Sequence, residues 1–207
     1  DQSWQPAPDS TFSLAWGDYD NDGDLDLAVG NATPPGTTTI GRASVIYQNN
    51  QGSLSTQPDW TSPLRDDTYS VAWGDVDGDG DLDLLTGSGG PLLSSEAPGQ
   101  PNRIYRNESG SLELQAQLIS LPPPADASPT AQTRAVAWGD VDSDGDLDLV
   151  VGQRGLPGRQ GIGTDTPGGH VFLQIVTNIF TLGHYPEDEV WHSSDKKTLV
   201  LRRAGSD

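Results

Sequence analysis

The stretch AWGDYDNDGDLDLAVG (residues 15–30) returns as AWGDVDGDGDLDLLTG (72–87) and again as AWGDVDSDGDLDLVVG (137–152). The copies start 57 and 65 residues apart, so the chain is an array of one supersecondary unit and its fold is read from that unit. Each copy holds five aspartates at alternating positions with a glycine among them, between apolar segments. Counted from the first aspartate, Asp18, Asp20 and Asp22 take positions one, three and five, Gly23 six, Asp24 seven and Asp26 nine. The second loop supplies Asp75, Asp77, Asp79, Gly80, Asp81 and Asp83, and the third Asp140, Asp142, Asp144, Gly145, Asp146 and Asp148.

Alternate residues of a tightly curled loop converge on one centre, and glycine permits the turn that a side chain would obstruct. Hard oxygen ligands in this number suit calcium, which takes about six to eight; magnesium keeps more water, and zinc prefers His or Cys. Three calcium sites are therefore expected. Side chains at positions one, three, five and nine and the backbone carbonyl at seven are the expected ligands. Without a cation, carboxylates this dense repel one another. The loop is not an EF-hand, which needs a bidentate Glu at position twelve, where this chain has Val29, Thr86 and Val151.

The loops also explain the charge. The chain of 207 residues carries 30 acidic and 11 basic side chains, a net of −19. The fifteen loop aspartates are half of the acidic set, and without them the balance is −4. Three calcium ions would bring −19 to −13. The acidity thus belongs to the metal loops and implies no basic partner. Lys and Arg are scattered, so no nucleic-acid partner is expected. Cysteine is absent, which removes disulfides and thiol chemistry. No apolar run reaches the length of a membrane span and no signal peptide is visible, so no membrane insertion is expected. The sequence opens at Asp1 rather than Met, as a processed or cut chain does.

Before each loop, Phe12, Leu14 and Trp16 share one face of a strand, as do Tyr69, Val71 and Trp73, and Arg134, Val136 and Trp138. After it, residues 25–29, 82–86 and 147–151 are apolar on both faces, which suits a central strand covered on both sides. A third strand is expected at 45–48 (VIYQ), 103–106 (RIYR) and 171–174 (VFLQ). A fourth follows a tight turn, with NNQGSL (49–54) matching NESGSL (107–112). It ends near Trp60 in the first unit, and Trp191 marks a similar place in the third.

Four antiparallel strands in roughly 60 residues, repeated, make an all-β chain of β-propeller blades. A β-sandwich has no reason to repeat its loops. The expected layout is one propeller region, 1–207. Blade one covers about 11–60, blade two about 61–119, blade three about 120–193, and a partial fourth unit 194–207 with the terminal strand TLVLR (198–202). Trp16, Trp73 and Trp138 are expected in the blade core, the alternative being an exposed aromatic platform for sugar.

The motif WGDxDxDGDLDL resembles the VCBS or FG-GAP repeat, found in integrin α-subunit propellers and many bacterial surface proteins. The resemblance covers all three units. It implies that the metal sits in the hairpin between the first and second strands of a blade. It also implies an extracellular or cell-surface role, commonly adhesion or recognition. The family includes propellers attached to lectins and to polysaccharide-degrading enzymes, so it constrains fold more tightly than function.

In a four-stranded meander the calcium loops share one end with the third-to-fourth turns. The opposite end collects the long, irregular segments 31–42, 61–68, 88–102, 120–133 and 153–169, and loops of that length commonly carry function. A protein or carbohydrate ligand is expected there, with Asn102, Arg103, Arg154, Arg159 and Gln160 as candidates for an acidic or sugar ligand. Asn31-Ala32-Thr33 and Asn107-Glu108-Ser109 are glycosylation sequons. His170, His184 and His192 share no zinc-like spacing. No GxSxG elbow, HExxH or phosphate loop occurs, so no catalytic residue is expected. Three functions stay open: a calcium-binding recognition or adhesion module, an accessory or catalytic propeller acting on polysaccharide, and a structural spacer. Propellers close with about four to eight blades, so three blades point to part of a larger ring or to a homodimer completing six.

Overall fold

The computed structural model describes residues 4–34, 37, 41–89, 100–118, 132–140, 145, 147–154, 171–176, 191–192 and 199–200. All regular structure among them is β-strand. Blade one holds β1 (Thr11–Gly17), β2 (Asp26–Asn31), β3 (Val45–Tyr47), a small hairpin of β4 (Asn49–Asn50) and β5 (Ser53–Leu54), and β6 (Trp60–Thr61). Blade two holds β7 (Thr68–Gly74), β8 (Asp83–Ser88), β9 (Asn102–Glu108) and β10 (Ser111–Leu118). Blade three holds β11 (Gln132–Gly139), β12 (Asp148–Arg154) and β13 (Val171–Val176), and β14 (Trp191–His192) and β15 (Leu199–Val200) follow.

The first two sheets are the expected antiparallel meanders, β1-β2-β3-β6 and β7-β8-β9-β10. In blade one the last strand is interrupted. The N–H groups of Ser55 and Asp59 reach the carbonyls of Gln48 and Ile46 at 2.8 and 2.9 Å, and pairing resumes only at Trp60 and Thr61. Pro58, which has no N–H to give, lies in the interruption.

Blade three departs from expectation twice. Its sheet runs β11-β12-β13, and Leu149 faces Val176 as Leu27 faces Tyr47 and Leu84 faces Tyr105. The counterpart of 45–48 and 103–106 is therefore 174–177 rather than 171–174. A run apolar on both faces carries no alternation to fix its register. The usable mark was the asparagine that follows the strand, Asn49, Asn107 and Asn178. Secondly, Trp191 pairs with Val200 rather than with β13, so blade three shows three strands among the described residues.

Sequence alone does not decide burial here. β1 (TFSLAWG) and β7 (TYSVAWG) are nearly identical, yet β1 is largely exposed and β7 largely buried. The difference is a neighbour. β7 lies against β1, with the Val71 N–H donating to Ser13 Oγ at 3.1 Å and Trp73 Nε1–H to the Ala15 carbonyl at 3.3 Å. A Cβ at Gly17 would stand 2.6 Å from the Trp73 ring, and one at Gly30 3.0 Å from Thr68 and 3.1 Å from Val71. The next seam repeats this: the Val136 N–H donates to Ser70 Oγ at 3.1 Å, Trp138 overlies Gly74, and Thr133 and Val136 overlie Gly87. Thr, Val and Trp of one blade thus seat on two glycines of the blade before. Trp73 and Trp138 join interblade cores with Leu84 and Tyr105, and with Leu149 and Val151, respectively. Trp16 does not: it is 56 % exposed, beside exposed Phe12 and Leu14, which corrects the expectation of three buried tryptophans.

Each first strand also carries a bulge at the same place, leaving Phe12, Tyr69 and Arg134 out of the pairing. The three form a ladder across the seams. Phe12 meets Tyr69 edge-on with centroids 5.0 Å apart, and the Arg134 guanidinium lies 4.1 Å over the Tyr69 ring. Trp60 also packs edge-on against Tyr105 across the first seam at 4.9 Å, and Trp4 does the same to Tyr47 at 5.1 Å.

Candidate metal centres

β1 delivers Asp18 to the end of the sheet at Gly17, and β2 resumes at Asp26, so each acidic loop closes the hairpin between first and second strands. The position-one carboxylate curls the loop. Asp18 accepts the N–H groups of Asp22 and Gly23 at 3.0 Å each; Asp75 accepts those of Gly78, Asp79 and Gly80 at 2.8, 3.1 and 3.0 Å; Asp140 accepts that of Gly145 at 3.2 Å. The position-six glycines sit at φ 94°, 97° and 96° (Gly23, Gly80, Gly145), the left-handed turn their place predicted. Position four is left-handed as well, at Asn21 (φ 58°) and Gly78 (φ 74°), and this second turn was not anticipated.

The curl gathers carboxylates. Asp18, Asp20 and Asp22 each offer an oxygen within 4.8 Å of the others, and so do Asp75, Asp77 and Asp83. Asp142, Asp144 and Asp146 lie outside the described residues. Asp24 and Asp81, assigned to backbone ligation, turn their side chains to the neighbouring hairpin and accept the N–H groups of Gln51 and Ser109 at 2.6 and 2.7 Å. This confirms that the acidic loops and the third-to-fourth turns share one end. At position nine, Asp26 accepts the N–H groups of Tyr19 and Asn49, and Asp83 those of Val76 and Asn107. Burial pushes both carboxyls above the usual range, against the pull of those N–H bonds. Asp148, their counterpart, is equally buried. Asp79 is held below the usual range, chiefly by the Asp81 N–H and secondarily by Arg106.

The donor set fits a hard cation. Both oxygens of Asp77 are closed to solvent without accepting an aligned hydrogen bond, and one of them is ion-paired with Arg106; buried carboxylate oxygens among other carboxylates suit a divalent oxygen-seeking ion. Two groups reach the loops from third-strand positions that motif reading missed. Gln48 Nε2 donates to Asp20, and Arg106 contacts Asp77 and Asp79. The loops are also tied across the seam: Asn21 Nδ2 donates to Asp81 at 2.6 Å, Asn107 Nδ2 to the Tyr19 carbonyl at 2.6 Å, and Tyr19 stacks on Trp73 at 6.0 Å.

At the opposite end the polar groups are already engaged. Arg103 is buried against Asp66, and the Asn102 amide oxygen accepts the Ser88 N–H at 3.0 Å, so neither is presented to a ligand as expected. Arg159 and Gln160 lie outside the described residues, and the Arg154 side chain is likewise not described. Both sequon asparagines are buried: Asn31 bonds Thr11 and Ala43, and Asn107 bonds Tyr19, Leu82 and Gly110. In the folded chain neither amide is open to glycosylation.

Stacked antiparallel blades, each carrying an acidic hairpin loop at one end, define a propeller-type repeat protein. The model of the FG-GAP-like repeat matches residues 36–86 and 92–151, more than half of the chain, and that of the FG-GAP repeat matches 10–46 and 68–105. The chain belongs to the FG-GAP repeat family.

Proposed function

We propose that the chain is a calcium-stabilised, non-catalytic propeller module for recognition or adhesion outside the cell, with a protein or carbohydrate ligand at the end opposite the acidic loops. The observation that carries this is the repeated loop: carboxylates gathered by two left-handed turns and tied across the seam to the next blade. In this arrangement calcium would neutralise carboxylates that otherwise repel, and would lock loop and seam together without taking part in bond making. The millimolar-range affinities of extracellular calcium modules suit such a structural role. Among the described residues no helix is long and apolar enough to cross a membrane. Chelation of calcium is expected to lower the melting temperature markedly, and Asp79→Ala to lower it partway. A melt unchanged by chelator in metal-depleted protein would sink the reading. A glycan array in calcium buffer followed by a polysaccharide-cleavage screen then separates recognition from a carbohydrate-active propeller, and silence in both leaves the spacer.

A further inference from the structure

The first and second acidic loops share their aspartates, their glycine and their turns, but not the side chain that the third strand sends into them. In β3's continuation that residue is Gln48, a neutral amide donating to Asp20 at position three. In β9 it is Arg106, whose Nε faces Asp77, the same position three, while Nη2 lies 3.4 Å from Asp79 and 3.1 Å from Glu108. Of the two loops described in full, the second alone therefore contains a fixed positive charge of the protein's own, in contact with two carboxylates expected to bind calcium.

We infer that Arg106 is a resident counter-ion of the second loop: it holds that loop folded without metal and sets its calcium affinity below that of the first. The inference rests on the calcium reading above. The physics is like-charge exclusion. A guanidinium ion-paired with Asp77 and hydrogen-bonded to Asp79 must share those oxygens with an incoming divalent cation or be displaced from them, and it repels that cation at short range. Gln48 orients Asp20 without either effect. Glu108, largely exposed, offsets only part of the Arg106 charge. The array then has graded sites, with blade two, which touches both neighbours, less dependent on calcium than blade one.

The test is calorimetric titration of chelator-stripped protein with calcium, for wild type, Arg106→Gln and Arg106→Lys. Wild type is expected to show a weak site beside a tighter one. Arg106→Gln should tighten that site by roughly tenfold, and Arg106→Lys, which keeps the charge, should leave it weak. Without metal, Arg106→Gln should melt below wild type; in saturating calcium the two should converge, which also checks folding. A weak site unmoved or weakened further by Arg106→Gln overturns the inference while leaving calcium binding intact. No calcium titration in wild type overturns the calcium reading instead, and the metal-free melt then decides separately whether Arg106 holds the loop.

Discussion

Tyr105 is 1 % exposed, and burial pushes its phenol up to about 12. An unfolded tyrosine ionises near about 10. Between these values the unfolded chain has lost a proton that the folded chain keeps, so stability falls as pH rises through the window and is complete below it. The span corresponds to about 2–3 kcal/mol. Tyr19, raised to about 12 chiefly by burial and then by Asp20 and Asp26, adds to the same slope. Urea midpoints should fall steadily across this alkaline window, and Tyr105→Phe should flatten part of the fall; a flat wild-type profile would contradict the assignment. At this scale the sequence was most legible where one residue type alone satisfies a geometry, as at Gly23, Gly80 and Gly145. It was least legible at Gln48 and Arg106, which reach the loops from a strand more than twenty residues away.

For the strands, the seam is the unit of stability, because β1 and β7 read alike and, among the described residues, only β7 has the first strand of a preceding blade to lean on. Trp73→Ala removes a ring from Gly17 and a donor from the Ala15 carbonyl and should cost about 2–4 kcal/mol, somewhat under a fully buried tryptophan. In the monomer, at low protein concentration, Trp16→Ala should cost within about 0.5 kcal/mol, as exposed substitutions do. Gly17→Val approaches the same contact from the other side, and overpacking there should cost about 1–3 kcal/mol. Equal losses at Trp16 and Trp73 in urea unfolding would show that the seam is not what holds the strand. The strands themselves and their hairpin order were readable from period and repetition. Which copy is buried was not, since that depends on what lies beside it, and the third strand of blade three slipped because its apolar run has no polar face to mark it.

In the whole molecule, calcium and seams act on one margin. With about 1 mM free calcium, a site with a dissociation constant near about 0.1 mM contributes about 1.4 kcal/mol and one tenfold weaker about 0.4 kcal/mol, or roughly 3 kcal/mol for the three together. That is a large share of a domain's usual 5–15 kcal/mol or so, which is why chelation should be visible as a shifted melt. The open face of blade one offers Thr11, Leu14 and Trp16 in the places that Thr68, Val71 and Trp73 occupy at the first seam. Blade three carries Gly139 and Gly152 where such a face would seat, though Ala135 replaces Ser13 and Ser70. We expect two copies to associate through these surfaces. Light scattering with size exclusion should give a mass that rises with concentration and falls back in Trp16→Asp; a cooperatively melting monomer at micromolar concentration would defeat the idea.

The bulge in each first strand has a consequence for how such arrays diversify. Most positions of the strand are constrained, by the pairing partner, by the seat on the neighbouring glycines or by the metal loop. The bulged residue is excused from all three, yet it stands in line with its counterparts, as Phe12, Tyr69 and Arg134 do. It is therefore the slot where blades can differ without unfolding, and its chemistry can act as an address. Phe12 meets Tyr69 edge-on and the Arg134 guanidinium lies over the same ring, so each seam carries its own pairing at this position. Units that share nearly every other letter of the strand thus still differ at their seams, and exchanging the three bulged residues would alter the seam contacts before it touched the strand pairing within any single blade.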